Sequence, residues 1–301
     1  MLVIGAMAVD AKGQPRDALL PGASTPGMVR LGVGGVARNL AENLACLGTR
    51  TVLLSAVGDD PFGRMLLDAT AHSGVNVEHV VTSKAHRTGT YTAVLDRTGA
   101  LAHAIDDMAV IETLTPALIY RKRRLFRDAA MIVLDTNISP RTLASVFNLT
   151  KKYRRPVCVN PTSASLARRI CPHLSDTYLL VPNYQEAQTI CATGQDLDAE
   201  QMAMRLVHMG VEIAIVTLGE MGLYYATSDE RGRIPALQRD IIDLTGAGDA
   251  LMAAVIFGLL NDISVSECVR LGISAAALTL QCPETVCPDL SLDRLYDELV
   301  I

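Results

Sequence analysis

The stretch "DLTGAGDALMAAVIFGLL", residues 243–260, sets two glycines and two acids directly in front of an apolar run without a charge. Gly246 and Gly248 free the backbone to turn tightly, and a helix begins there. With no polar stripe, the run 250–260 predicts a helix buried on nearly every side. The first backbone N–H groups of a helix have no internal partner, and the helix dipole adds partial positive charge at that end. Such a mouth binds phosphate oxygens. Asp249 falls in the first turn, where its carboxylate can take the proton from a hydroxyl attacking phosphorus. Acids also favour helix starts for stability alone, so a bare GxGD supports the plainer reading too. It is not a Walker A loop, because GxxxxGK[ST] is absent.

Outward from this stretch, short β-rich runs alternate with helical patterns. "LVIGAM" (2–7), "TVLLSAVG" (51–58), "AMIVLDT" (130–136), "PVCVNP" (156–161), "TYLLVP" (177–182) and "IAIVTLG" (213–219) read as strands. "GVARNLAENLACLG" (35–48), "PRTLASVFNLTKKY" (140–153) and "YQEAQTICATG" (184–194) read as helices. Strands apolar throughout, with helices between, predict an α/β fold with a parallel sheet covered on both faces. "GTYTAVLDRTGALAHAID" (89–106) breaks the rhythm: it alternates residue types and turns at Asp96–Gly99, as a hairpin wet on one face does. No linker, repeat or second domain is evident, so a single domain over 1–301 is expected.

Composition narrows the function. The 301 residues carry a net charge of −5, and "RKRR" (121–124) is the densest basic run, so nucleic acid is not expected as a partner. The seven cysteines are odd in number and scattered, without CxxC, which predicts reduced thiols in a cytoplasmic protein and no zinc site. "MLVIGAMAVD" lacks the basic n-region of a signal peptide, and the longest apolar run is too short to span a bilayer.

"DLTGAGD" resembles the DTTGAGD motif of the ribokinase-like (PfkB) carbohydrate and nucleoside kinases, with Leu244 in place of the usual Thr. Three further stretches resemble that family's motifs, in its order: "GVGGVARNLA" with Gly34, Gly35 and Asn39, "PNYQEA" with Asn183 and Glu186, and "VTLGEMG" with Thr217, Gly219 and Gly222. The resemblance covers nearly the whole chain. It implies a three-layer α/β sandwich with a mostly parallel central sheet and a small β-strand lid, from about 11–33 and 86–108.

The same resemblance implies roles. Asp249 would be the general base, and the N–H groups of Gly246, Ala247 and Gly248 the anion hole. Asn183, Thr217, Gly219 and Gly222 would bind ATP, and Glu186 would hold Mg2+ through water. Glu186 also fits an ordinary first-turn acid. Asp243 and Thr245 would be ligands of K+, or Asp243 merely a turn cap. Asp10, Gly34, Gly35 and Asn39 would meet the sugar, under a lid that pairs two subunits into a homodimer.

"GGVARNLAENLACLG", "TYTAVLDRTGALAHAIDDM", "DTNIS" and "CPDLS" resemble the pseudouridine kinase branch of the family, which phosphorylates a nucleoside 5′-hydroxyl. Thr90, Asp106, Asp107 and Asn137 are then candidates for reading the base. Three positions depart from that branch: Asp106 stands where it has Asn, Asn160 where it has Asp, and Leu166 at the place of a nearby Lys. Other outcomes are a kinase of the same fold for another nucleoside or a free sugar (ribose, fructose type), or a non-catalytic sugar- or nucleotide-binding regulator. The retained Asp249 argues against the regulator. The third alternative, a Rossmann oxidoreductase, is disfavoured because the chain lacks GxGxxG after its first strand.

Overall fold

A computed structural model describes residues 1–20, 22–99, 101–192 and 197–299. In chain order its strands are β1 Leu2–Ile4, β2 Ala8–Pro15, β3 Gly27–Gly34, β4 Val52–Leu54, β5 Ala56–Gly58, β6 Val81–Ser83 and β7 Thr90–Leu95. They continue with β8 Leu101–Asp107, β9 Ile132–Asp135, β10 Val157–Asn160, β11 Leu179–Leu180, β12 Ile213–Thr217, β13 Leu223–Ala226 and β14 Arg231–Ile234. The main sheet runs β14-β13-β12-β11-β10-β9-β1-β4. It is parallel from β4 through β12 and ends in the antiparallel pairs β12–β13 and β13–β14.

Successive residues of a strand point to opposite faces, and the main strands are apolar on both. Leu2, Ile4, Ile132, Leu134, Val157 and Val159 enter one core with the helices Pro140–Tyr153, Tyr184–Cys191 and Ala199–His208. Val3, Val133, Cys158, Ile213 and Ile215 enter the other with Val36–Cys46, Ala247–Leu260 and Val265–Leu280. The result is the expected sandwich of helix, sheet and helix layers.

The helix Ala247–Leu260 explains its own composition. Leu251, Met252, Val255 and Ile256 face the sheet-side core, while Ala250 and Ala254 meet Leu271, Ala275 and Leu278 behind it. Each fully buried aliphatic side chain is worth roughly 1.5–3 kcal/mol. The helix is therefore held by its flanks, and its first turn is left for polar groups.

A second sheet, ordered β3-β2-β7-β8, projects from the first. The expected hairpin is β7–β8, closed where the Gly99 N–H donates to the Asp96 carbonyl at 3.1 Å. It differs from the expectation in being wet on both faces of β8, whose every residue is exposed, because β8 is the edge strand and nothing among the described residues covers it.

Another expectation is corrected. "TVLLSAVG" is not one strand: the chain steps from β4, paired with β1, to β5, paired with β6, and at the step Ser55 Oγ donates to the Gly5 carbonyl at 2.6 Å. Cys282 and Cys287 lie within disulfide reach, because the turn after Val265–Leu280 brings their Cα atoms to 5.6 Å. Cys46, Cys158, Cys171, Cys191 and Cys268 are free. The helix expected over 184–194 ends at Cys191, and residues 193–194 lie outside the described residues, as do positions 21 and 100 of the expected lid. Among the described residues, no helix is long and apolar enough to cross a membrane.

Candidate active site

Gly246 caps the buried helix in the left-handed conformation, φ 87°. A Cβ there would stand 1.9 Å from the Thr285 carbonyl oxygen, so only glycine lets the 281–287 loop close behind the turn. At Gly248 a Cβ would meet no atom within 4 Å. The helix mouth thus backs onto protein at Gly246 and opens at Gly248, as a cradle for an anion must.

Asp249 lies at this mouth, 8% exposed. Asn39 Nδ2 donates to its Oδ2 at 2.9 Å and Asn160 Nδ2 to its Oδ1 at 3.1 Å, so each carboxylate oxygen is held by an amide. Asn39 is oriented in turn by Arg38, whose guanidinium donates to Asn39 Oδ1 at 3.2 Å. Burial pushes the Asp249 carboxyl up to about 7; the Asn39 bond opposes this, and the nearby Asp135, Asp10 and Glu186 add to it. A carboxyl in that range is matched to proton abstraction near neutral pH.

Asp10 is 7% exposed on β2, and burial raises its carboxyl to about 6 against the pull of Lys12 and Arg38. Gly34 and Gly35 are demanded by the chain itself. A Cβ on Gly34 would fall 2.3 Å from Asp10 Oδ2, and one on Gly35 (φ 97°) would fall 2.5 Å from the Met7 Cα. Asn39, expected at the sugar, donates to Asp249.

Register sorts the candidates for reading a base. Asp10, Tyr91 and Asp106 are partners across β2, β7 and β8, in one row on one face. Thr90 and Asp107 form the adjacent row, on the other face. Asn137 belongs to neither: its N–H donates to the buried Asp135 at 2.9 Å, and Arg169 bonds its carbonyl at 3.0 Å.

At the far end of the site, Asn183 and Glu186 form a capping box. Glu186 Oε2 accepts from the Asn183 N–H and Oε1 from its amide, both at 2.9 Å. Burial raises the Glu186 carboxyl, and the Asn183 N–H offsets part of that. The Thr217 N–H donates to the Pro182 carbonyl at 3.0 Å, so the TLG turn sits beside the box. Asn183, Thr217, Gly219, Tyr224 and Arg233 line a cleft of about 640 Å³. Gly222, φ 87°, closes the turn against the Ile234 carbonyl, 2.1 Å from where its Cβ would be. No group of three or more metal-ligating side chains stands among the described residues. Glu186 is a single buried carboxylate next to the cleft-lining Asn183 and Gln185, and one carboxylate is a donor set that suits Mg2+, which keeps several waters of its own.

Lys12 was not singled out in the sequence. Its Nζ lies 2.6 Å from Asp243 Oδ2 and 2.7 Å from Thr245 Oγ1, the side chains that the resemblance gives to potassium. Asp10, Lys12, Arg38, Asp243 and Thr285 line a cavity of about 620 Å³. Asn160 and Tyr91 were also missed as contributors, although Asn160 stood out as a departure.

Residues 1–290 match the family model described as pfkB family carbohydrate kinase. The pseudouridine kinase of Escherichia coli (strain K12) is 33% identical over 97% of this chain and 94% of its own length. The guanosine-inosine kinase of Exiguobacterium acetylicum is 29% identical over 97% of this chain and 98% of its own. Among solved structures, Arabidopsis thaliana ribokinase complexed with ribose and ATP superposes with a TM-score of 0.86, covering 100% of this chain and 98% of that one at 21% identity, a likeness of fold. The chain belongs to the pfkB family of carbohydrate kinases.

Proposed function

We propose that this chain, an ATP-dependent kinase by its family, phosphorylates the 5′-hydroxyl of pseudouridine, giving pseudouridine 5′-phosphate and ADP. The observation that carries the reading is the buried Asp249, gripped by two amides at the mouth of a helix that opens at Gly248. In the proposed step, Asp249 takes the hydroxyl proton while the substrate oxygen forms its bond to the γ-phosphorus. The bond from that phosphorus to the bridging oxygen breaks, and ADP leaves. The N–H groups of Gly246, Ala247 and Gly248 carry the charge on the transferred phosphoryl. Mg2+ beside Glu186 would neutralise phosphate charge. At the potassium oxygens stands Lys12.

The choice of nucleoside rests on the row Asp10, Tyr91 and Asp106. Asp10 suits the ribose hydroxyls common to all nucleosides. Asp106, an acceptor-only group on the same face, suits the additional ring N–H that pseudouridine has and uridine lacks. The small sheet is read as a lid that excludes water. Its outward face supports a homodimer, since Val29, Leu31 and Ile105 are 71%, 60% and 75% exposed there. A cytoplasmic setting belongs to the same reading. The test is a panel of nucleosides and free sugars assayed for ATP-dependent ADP release. Pseudouridine should lead, and a better rate with uridine or ribose would sink the substrate assignment while leaving the family untouched.

A further inference from the structure

We infer that Lys12 does the work of the family's monovalent cation: its ammonium, brought in on β2, holds the loop before the anion hole, and turnover needs no potassium. The oxygens in question are already used. Asp243 Oδ2 and Thr245 Oγ1 accept from Lys12, and Asp243 Oδ1 accepts from the Thr245 N–H at 2.8 Å. A potassium ion on the same side chains would sit against a like charge. These residues therefore do not fit the ion that the resemblance implies.

The geometry follows from strand periodicity. Lys12 is two residues after Asp10 on an interior strand, so both point to the same face. With the Lys12 and Asp243 side chains 19% and 24% exposed, water screens the pair only in part. Burial alone would raise the Asp243 carboxyl, but the Lys12 bond and those of Thr245 carry it below the usual carboxylate range. The contact joins residues 231 positions apart, so it ties the small sheet to the loop that ends in Gly246 and Asp249. A diffusible ion makes no such link between the substrate-side strand and the anion hole.

The inference rests on the family's kinase chemistry and not on which nucleoside is accepted. The experiment compares potassium, sodium and choline chloride at fixed ionic strength. It reads melting of the substrate-free protein, and turnover with whichever substrate the panel ranks first. The melting arm stays readable if the pseudouridine assignment fails. For the wild type, rate and melting temperature should be equal in the three salts. Lys12→Ala should lose roughly 10- to 100-fold in kcat/KM in choline, the worth of a hydrogen bond to a charged group. It should also acquire a potassium-specific gain in both readouts, because Asp243 and Thr245 are then free. Lys12→Gln, which keeps the stem, replaces it if the alanine variant does not fold. A potassium-specific gain in the wild type overturns the inference, and so does a folded variant indifferent to potassium.

Discussion

Replacing Asp249 by Asn should make the protein more stable at neutral pH while nearly abolishing its activity. The folded chain holds this carboxyl at about 7, against 3.8 in a free chain. A carboxyl raised on folding weakens the fold wherever it is ionised. The penalty is absent below pH 3.8, grows as pH rises to about 7, and is constant above. About three pKa units correspond to roughly 4 kcal/mol. Asparagine removes that charge but brings its own cost. Both carboxylate oxygens accept amide N–H groups, from Asn39 and Asn160, so one donor would then face the new NH2. A buried donor left unpaired costs about 1–3 kcal/mol. The net gain above pH 7 is therefore about 1–3 kcal/mol, several degrees of melting temperature in a chain of this size. Melting wild type and Asp249→Asn from pH 4 to 8 should give curves that separate as pH rises and run parallel above pH 7. Turnover at pH 8 should fall by roughly 10²–10⁴-fold, the usual contribution of a general base. A variant less stable than the wild type at pH 8, or a gap independent of pH, would refute the electrostatic argument. Near wild-type turnover would remove Asp249 from the role of base.

The base must be ionised to act, so kcat/KM of the wild type should rise with pH to a plateau, with a midpoint near the value of about 7 held by Asp249; a flat profile from pH 5.5 to 8.5 contradicts this. Gly246→Ala and Gly248→Ala should separate fold from function. The first drives a methyl into the Thr285 carbonyl at a positive φ and should lower the melting temperature. The second meets no protein atom, so it should melt like the wild type yet lose turnover by crowding the helix mouth, and equal turnover would move the anion hole elsewhere. Asp106→Ala should narrow the preference for pseudouridine over uridine mainly by lowering kcat/KM for pseudouridine, by roughly 10- to 100-fold, the worth of a hydrogen bond to a charged group. Unchanged discrimination would remove Asp106 from base reading.

Much of this was legible in the sequence because it depends on local pattern. The apolar runs specified parallel strands buried on both faces, and the GAG turn specified a helix mouth with an acid in it. What escaped depends on which distant segments meet. Asn39 reads locally as a polar residue after two glycines, and only folding brings it against Asp249, 210 positions on. Asn160 stood out as a departure, but its bond to the second oxygen of Asp249 needed the end of β10 to meet the helix mouth. The approach of Cys282 and Cys287, which have no CxxC spacing, needed the turn that brings them together.

The small sheet is where a local rule would have carried furthest. Alternation along β2 sends Asp10 and Lys12 to one face and Val9 and Ala11 to the other. Register extends that choice across the sheet. Tyr91 and Asp106 share the row of Asp10, while Leu31, Ala11, Thr92 and Ile105 share the next. One face thus gathers the acid, the ammonium and the phenol, and the other gathers exposed aliphatic groups. A one-residue slip would exchange the two faces entirely. Lys12 guards against that slip: its bonds to Asp243 and Thr245 can form only while its side of β2 faces the anion hole. The ion pair that stands where a potassium ion was expected therefore also fixes which face of the sheet carries Asp10 and Tyr91 and which carries the exposed aliphatic groups.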